Sequence, residues 1–166
     1  MYSYSMIILG IDPGTACTGW GIIKAVNNSY SFIECGTIRP KEKQLSLKYN
    51  TIFEEVSEVI KKYNPEILSV ETQFMYKNAQ SAIKVSMARA AAIIAGTQSG
   101  LDIFEYTPTR VKQAVTGSGR APKEAVDKMI NILLNIPRKI PHDAADALGL
   151  AICHAHYRNS PLAALF

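Results

Sequence analysis

Hydrophobic positions change period several times along this chain, and each change marks an element. Ile7-Ile8-Leu9-Gly10-Ile11 is an unbroken apolar run stopped by Asp12-Pro13-Gly14, the pattern of a buried strand that ends in a tight turn. The runs Trp20 to Val26 and Tyr30 to Ile38 flank Asn27-Asn28-Ser29, residues that tolerate the positive φ of hairpin turns. These two runs predict antiparallel strands. From Gln44 to Tyr63, apolar residues such as Leu45, Tyr49, Ile52, Val56 and Ile60 recur every three or four positions between Glu and Lys, so the segment is an amphipathic helix. Asn64-Pro65 stops it, because the residue before a proline is driven out of the helical region. Ile67-Leu68-Ser69-Val70 follows as a short buried strand with Glu71 at its end.

The stretch Asn78 to Gly96 is rich in Ala, Ser and Met and long enough for a helix, and Ile103-Phe104 suits a fifth strand. Thr107-Pro108 reads as an N-cap followed by a first-turn proline, with Gly117 as the C-terminal stop of a short helix from Thr109 to Thr116. Pro122 opens another helix whose apolar face holds Val126, Met129, Ile130 and Leu133 until Pro137, and a last helix runs from about Asp143 to Tyr157. The order βββαβαβααα predicts an α/β fold. Its five-stranded sheet should be mixed and flanked by helices, the hairpin strands lying beside two or more parallel ones.

The length of 166 residues fits one domain with a sizeable core, so residues 1–166 are expected to form a single unit. At 48% hydrophobic and 19% charged, with no biased tract, the composition is that of a packed globule. The most apolar stretch, Met87 to Ala95, is interrupted by Arg89 and falls short of the roughly 20 residues that cross a bilayer. No positive charge precedes the first apolar run, so no signal peptide is expected and the default location is the cytoplasm. Cys17, Cys35 and Cys153 are odd in number and widely spaced, which predicts buried thiols and not a disulfide framework or zinc ribbon. Cys153, His154 and His156 are not read as metal ligands, since adjacent helical positions point in different directions.

Charge is more informative in its distribution than in its net value of +4. Ten basic residues against four acids lie between Lys77 and Lys139, a local excess of +6, while the remainder of the chain carries −2. A polyanion suits the central block. Among the acids outside it, Asp12 and Glu71 each follow a buried strand, and Asp146 lies within the apolar run Ala144 to Ile152 with Asp143 three residues before it. Helical residues three apart share a face. If the two strands are neighbours and the last helix crosses their ends, four carboxylates converge. Each pair of charges about 4 Å apart repels by about 4 kcal/mol at an effective dielectric near 20, so the group must protonate or hold cations. Oxygen donors select hard ions such as Mg²⁺ or Mn²⁺, and two of these support phosphodiester hydrolysis. Taken singly, the plain alternative is a turn aspartate, a strand-end glutamate and helix-capping aspartates.

Four separated segments carry a resemblance: MIILGIDPGTACTGWGI (6–22), VETQFMYKNAQSA (70–82), YTPTRVKQAVTGSGRAPKEAV (106–126) and HDAADALGLAICHAH (142–156). In this order they resemble the RuvC family of bacterial Holliday-junction resolvases. The resemblance implies a ribonuclease-H-like fold, a homodimer, and paired symmetric nicks in four-way junctions that leave 5′-phosphate and 3′-hydroxyl ends in recombination and repair. It places the family's four catalytic, metal-holding acids on Asp12, Glu71, Asp143 and Asp146, with Mg²⁺, two per site, as cofactor and Mn²⁺ as a substitute. It also implies junction contacts by Lys112 and Lys123, an aromatic beside the site at Phe74, and the RuvA–RuvB branch-migration complex as a partner. Residues 1–5 precede the usual family start and are expected to be an extension.

Other residues have a functional and a plain reading. His142 is a possible auxiliary ligand or base, or else a capping residue open to solvent. Phe74 is expected to stack on bases at the crossover, whereas core or rim packing suits Met75 and Tyr76. Gly117-Ser118-Gly119-Arg120 reads as a flexible loop whose amides, with Arg120, Lys123 and the following helix N-terminus, can receive a phosphate; a solvated linker is the alternative. Loss of Lys112 or Lys123 is expected to weaken binding without touching the chemistry. The small residues from Ser81 to Ala95 suit either a dimer interface or a helix buried within one subunit. Two rival functions remain: a noncatalytic branched-DNA binding module, and an actin-like ATPase or sugar kinase, which shares a Gly-Ile-Asp-x-Gly turn but needs a second phosphate turn that this chain lacks.

Overall fold

The computed structural model describes residues 5–72 and 78–158. Phe74, Met75 and Tyr76 therefore lie outside the described residues. The elements follow the predicted order: β1 (Ser5–Asp12), β2 (Thr18–Val26), β3 (Ser29–Ile38), α1 (Leu45–Tyr63), β4 (Ile67–Glu71), α2 (Ala79–Gln98), β5 (Asp102–Tyr106), α3 (Pro108–Thr116), α4 (Lys123–Leu134) and α5 (His142–Arg158). Of the five residues expected to form an extension, Ser5 begins β1 opposite Val26 and residues 1–4 are not described.

The turn and cap residues act as their chemistry dictates. Asn27 turns the hairpin at φ 52°, and Asn64 ends α1 in the left-handed region just before Pro65, where a non-glycine residue is tolerated best if it is asparagine. The Thr107 hydroxyl accepts from the Arg110 amide at the start of α3, and Gly117 closes that helix at φ 79°.

The strands form one mixed sheet in the order β3-β2-β1-β4-β5. The β1–β2 and β2–β3 pairs are antiparallel, whereas β1–β4 and β4–β5 are parallel. Because side chains alternate across a strand, each face has its own core. Leu9, Ile11, Ile22, Leu68 and Val70 pack with α1 and α2 on one face. Met6, Ile8, Ile23 and Ala25 pack with α4 and α5 on the other. Among the described residues no helix is long and apolar enough to cross a membrane.

Candidate active site

Asp12 has the same strand parity as Ile8 and Gly10, and Glu71 has that of Ile67 and Ser69. Both acids therefore project on the α5 face. They stand one residue beyond the Ile11–Val70 pair of two adjacent parallel strands, so they emerge side by side at one end of the sheet. The helix that completes the group lies against bare backbone. A Cβ at Gly10 would come within 1.8 Å of the Ala147 carbonyl oxygen, and one at Gly19 within 1.9 Å of that of Asp143. Such contacts are prohibitive, so these glycines let α5 settle on β1 and β2 at a distance that no other residue permits. The Ser69 hydroxyl donates to the Leu150 carbonyl at 2.8 Å and fixes the helix against β4 as well. The N-terminal part of α5 then delivers Asp143 and Asp146 to the ends of β1 and β4.

The electrostatics record this convergence. Burial pushes the Asp12 carboxyl up to about 7, and the charges of Asp146, Glu71 and Asp143 add to the rise while Lys123 opposes it. Glu71 is raised by burial and by Asp146. Two cations reach these acids through the fold from distant parts of the sequence. Lys123 Nζ stands 2.8 Å from Asp146 Oδ2, and Arg39 is 4.0 Å from Asp143 Oδ2. Hydrogen bonding to Asp146 raises the Lys123 pKa. Both pairs are well exposed, so they contribute little to stability. They do show where positive charge is wanted.

Asp12, Glu71, Asp146, Lys112 and Lys123 line a cleft of about 250 Å³ whose apolar wall includes Val111 and Ile130. Asp143 stands outside that lining, with its carboxylate on Cys17 and Arg39. Cys17 corrects one expectation: Cys35 and Cys153 are buried but Cys17 is only half-buried, and its thiol donates to Asp143 at 3.1 Å. Burial and that hydrogen bond push the thiol up to about 11. Among the described residues, no three His, Cys, Asp or Glu side chains are grouped closely enough to hold a metal ion as they stand. The donors nevertheless suit a hard divalent cation: they are carboxylate oxygens, mutually repelling, with one ammonium already drawn onto Asp146.

Other predicted residues are placed as follows. His142 is 82% exposed and lies 3.2 Å from Asp127 on α4. Arg120 is exposed and not part of the cleft lining. Its loop is not the flexible linker expected, because Gln113 braces it from both sides: the Gln113 amide group donates to the Gly117 carbonyl and accepts from the Gly119 amide. His154 is buried against β5, with Nδ1 2.8 Å from the Tyr106 hydroxyl.

Arg89 and the glycines escaped the sequence reading. Arg89 Nε donates to the Glu71 carbonyl at 3.0 Å, and its guanidinium pairs with Glu105. It thus ties α2 and β5 to the backbone of Glu71. In the sequence it is merely the charge interrupting an apolar stretch. Gly19 and Gly21, two apart in a strand, did carry a readable signal, since glycine inside a strand often marks close backbone approach.

Comparison with known proteins gives these features a family. The model of the family described as crossover junction endodeoxyribonuclease RuvC matches residues 8–154. The chain belongs to the RuvC family. A RuvC from Shewanella pealeana is 46% identical over 95% of this chain and 91% of its own length, and one from Stutzerimonas stutzeri is 46% identical over 93% and 88%. A structure of RuvC from T. thermophilus in complex with a Holliday junction substrate is 32% identical, with a TM-score of 0.87, covering 93% of this chain and 95% of that one. The fold is therefore the ribonuclease-H-like fold of RuvC.

Proposed function

We propose that this protein is a Holliday-junction resolvase that hydrolyses phosphodiesters by paired symmetric nicks, with Asp12, Glu71, Asp143 and Asp146 as its catalytic acids. The observation that carries this reading is the meeting of four carboxylates from three elements at one sheet end, felt most strongly by Asp12. These residues are the ones to hold Mg²⁺, or Mn²⁺ in its place. Bound by them, such an ion would lower the pKa of an attacking water and offset charge on the phosphate. In the reaction, water oxygen bonds to phosphorus and the bond from phosphorus to the 3′ oxygen breaks, so the products end in 5′-phosphate and 3′-hydroxyl.

The chain's own residues supply the geometry. The Glu71 backbone is held by Arg89. Lys123 is positioned to bridge Asp146 and an incoming phosphate, and Lys112 lines the same cleft. Its contact with Asp146 makes Lys123 part of the catalytic centre, so its loss should affect the rate as well as binding. A second copy of the chain is needed for symmetric cutting. Helix α2 supports this: one side packs Ala88, Ala92 and Ala95 against the sheet, while Ile83, Met87 and Ile94 are about half-exposed on the other. Their spacing of four and seven is that of a helix–helix seam.

The test is cleavage of a synthetic mobile four-way junction by wild type and Asp12→Asn, with Mg²⁺ or Ca²⁺. Symmetric nicks are expected only for wild type with Mg²⁺, and the variant should retain binding while losing about 10³-fold or more in rate, the scale of several kcal/mol. Normal cutting by Asp12→Asn would refute the role of the acids. Binding by wild type with no cleavage under Mg²⁺ or Mn²⁺ would leave only a branched-DNA binding module.

A further inference from the structure

The segment between β3 and α1 reads in sequence as part of the acidic remainder, yet the fold brings it to the active site. Two antiparallel steps separate β3 from β1, so the two strands run in the same direction. Ile38, Asp12, Glu71 and Tyr106 consequently end their strands at the same edge of the sheet. Residues 39–43 follow directly from Ile38.

Their side chains are sorted by charge. Arg39, Lys41 and Lys43 are exposed, whereas Pro40 is buried. Glu42, the acid among them, is turned inward: one carboxylate oxygen accepts from the Thr51 hydroxyl at 2.7 Å and the other is buried. Arg39 approaches Asp143 to 4.0 Å. Among the described residues, neither Lys41 nor Lys43 has an ion-pair partner. Along the sheet end the order is thus cations after β3, Asp12 after β1, Glu71 after β4, and Lys112 on the helix after β5. Adjacent strands lie about 4.8 Å apart, so four steps span about 19 Å. At about 3.4 Å of axis per phosphate, that distance covers about five phosphates of one strand.

We propose that Arg39, Lys41 and Lys43 form a second binding site for the DNA backbone, on the side of the acids opposite Lys112. The strand to be cut then crosses the carboxylates held by cations on both flanks, which keeps its scissile phosphate from sliding along the sheet end. The two cation groups balance the repulsion between carboxylates and phosphates that either group alone relieves on one side only.

This inference rests on the resolvase reading, and its test separates the two. Binding of a four-way junction in Ca²⁺ is measured against salt concentration for wild type, Lys41→Ala/Lys43→Ala and Lys41→Arg/Lys43→Arg, with Lys61→Ala/Lys62→Ala at the end of α1 as the control. Each lost phosphate contact lowers the slope of log affinity against log salt by about 0.9. The alanine pair should flatten the slope by up to about 1.8 and weaken binding about tenfold at low salt, while the arginine pair retains the wild-type slope. Unchanged melting temperatures confirm that each variant is folded. A slope equal to wild type in the alanine pair, or an equal flattening in the Lys61/Lys62 control, would overturn the proposal. Failure of the wild type itself to bind and cut junctions would overturn the resolvase reading instead.

Discussion

The two faces of the sheet are built from the same strands and are held in different ways. On the α1 and α2 face, Leu9, Ile11, Ile22, Leu68 and Val70 meet the helices through interdigitated side chains. On the α5 face the closest contacts are between main chains, at Gly10 and Gly19, and the strand positions that continue the face toward the sheet end are Ser69, Asp12 and Glu71. A side-chain interface can absorb a small change by repacking. A backbone interface cannot, because a carbonyl has no alternative rotamer. The helix seated that way carries Asp143 and Asp146, and its seat sets where they stand relative to Asp12. Both faces bury apolar side chains, and the α5 face adds the close backbone seat on which its acids stand.

The largest expected effect that separates the faces is a dependence of stability on pH and metal. Asp12 in the folded chain without metal is pushed up to about 7, whereas in the unfolded chain a carboxyl titrates near 4. Between those values the folded state keeps a proton that the unfolded state has released, so stability falls as pH rises toward 7. At about 1.4 kcal/mol per pKa unit, the term is on the order of 4 kcal/mol. Urea unfolding in EDTA from pH 5 to 7.5 should show this decline. Mg²⁺ should reverse it, and Asp12→Asn should flatten it. A rise in stability across that range would show that burial and the neighbouring carboxylates do not raise Asp12.

Next in size is the apolar face. Leu68 is fully buried, and Leu68→Ala should cost about 2–5 kcal/mol of stability through transfer and cavity terms. Its rate of junction cleavage per folded molecule should stay within about twofold of wild type, a difference of under about 0.5 kcal/mol. A large loss of rate in the folded variant would mean that the faces are coupled.

Gly10→Ala gives the sharpest contrast between loss of stability and loss of rate. The added methyl meets the Ala147 carbonyl, a backbone group that cannot rotate away, so α5 must shift, at a cost at or above the upper end of the about 1–3 kcal/mol typical of overpacking. Because that shift moves the acids, cleavage should fall about 100-fold, the scale of a displacement near 1 Å at a catalytic centre. Retention of full activity would show that the seat of α5 is not what sets the acid geometry.

Much of this could be read before any coordinates. The five strands and five helices, their order and the caps at Asn64, Thr107 and Gly117 follow from local chemistry: periodicity, proline sterics, and the tolerance of Asn and Gly for positive φ. The convergence of Asp12, Glu71, Asp143 and Asp146 was also legible, because a carboxylate at the end of a buried strand or inside an apolar helix is chemically out of place. Arg89 was not legible. Nothing around it in α2 indicates that its guanidinium reaches the carbonyl of Glu71, eighteen residues away. The bracing of the glycine loop by Gln113 was missed for a similar reason, since composition suggests mobility and only the observed hydrogen bonds reveal the brace.

Local sequence thus determined which elements form and which side chains are chemically out of place, because helix and strand periods, turn propensities and the cost of burying charge all act within a few residues. The tertiary structure alone decided which cations meet which acids, and that Arg39, Lys41 and Lys43 share a sheet end with Asp12 and Glu71. Electrostatic interaction depends on distance through space, and strand order sets that distance between residues far apart along the chain.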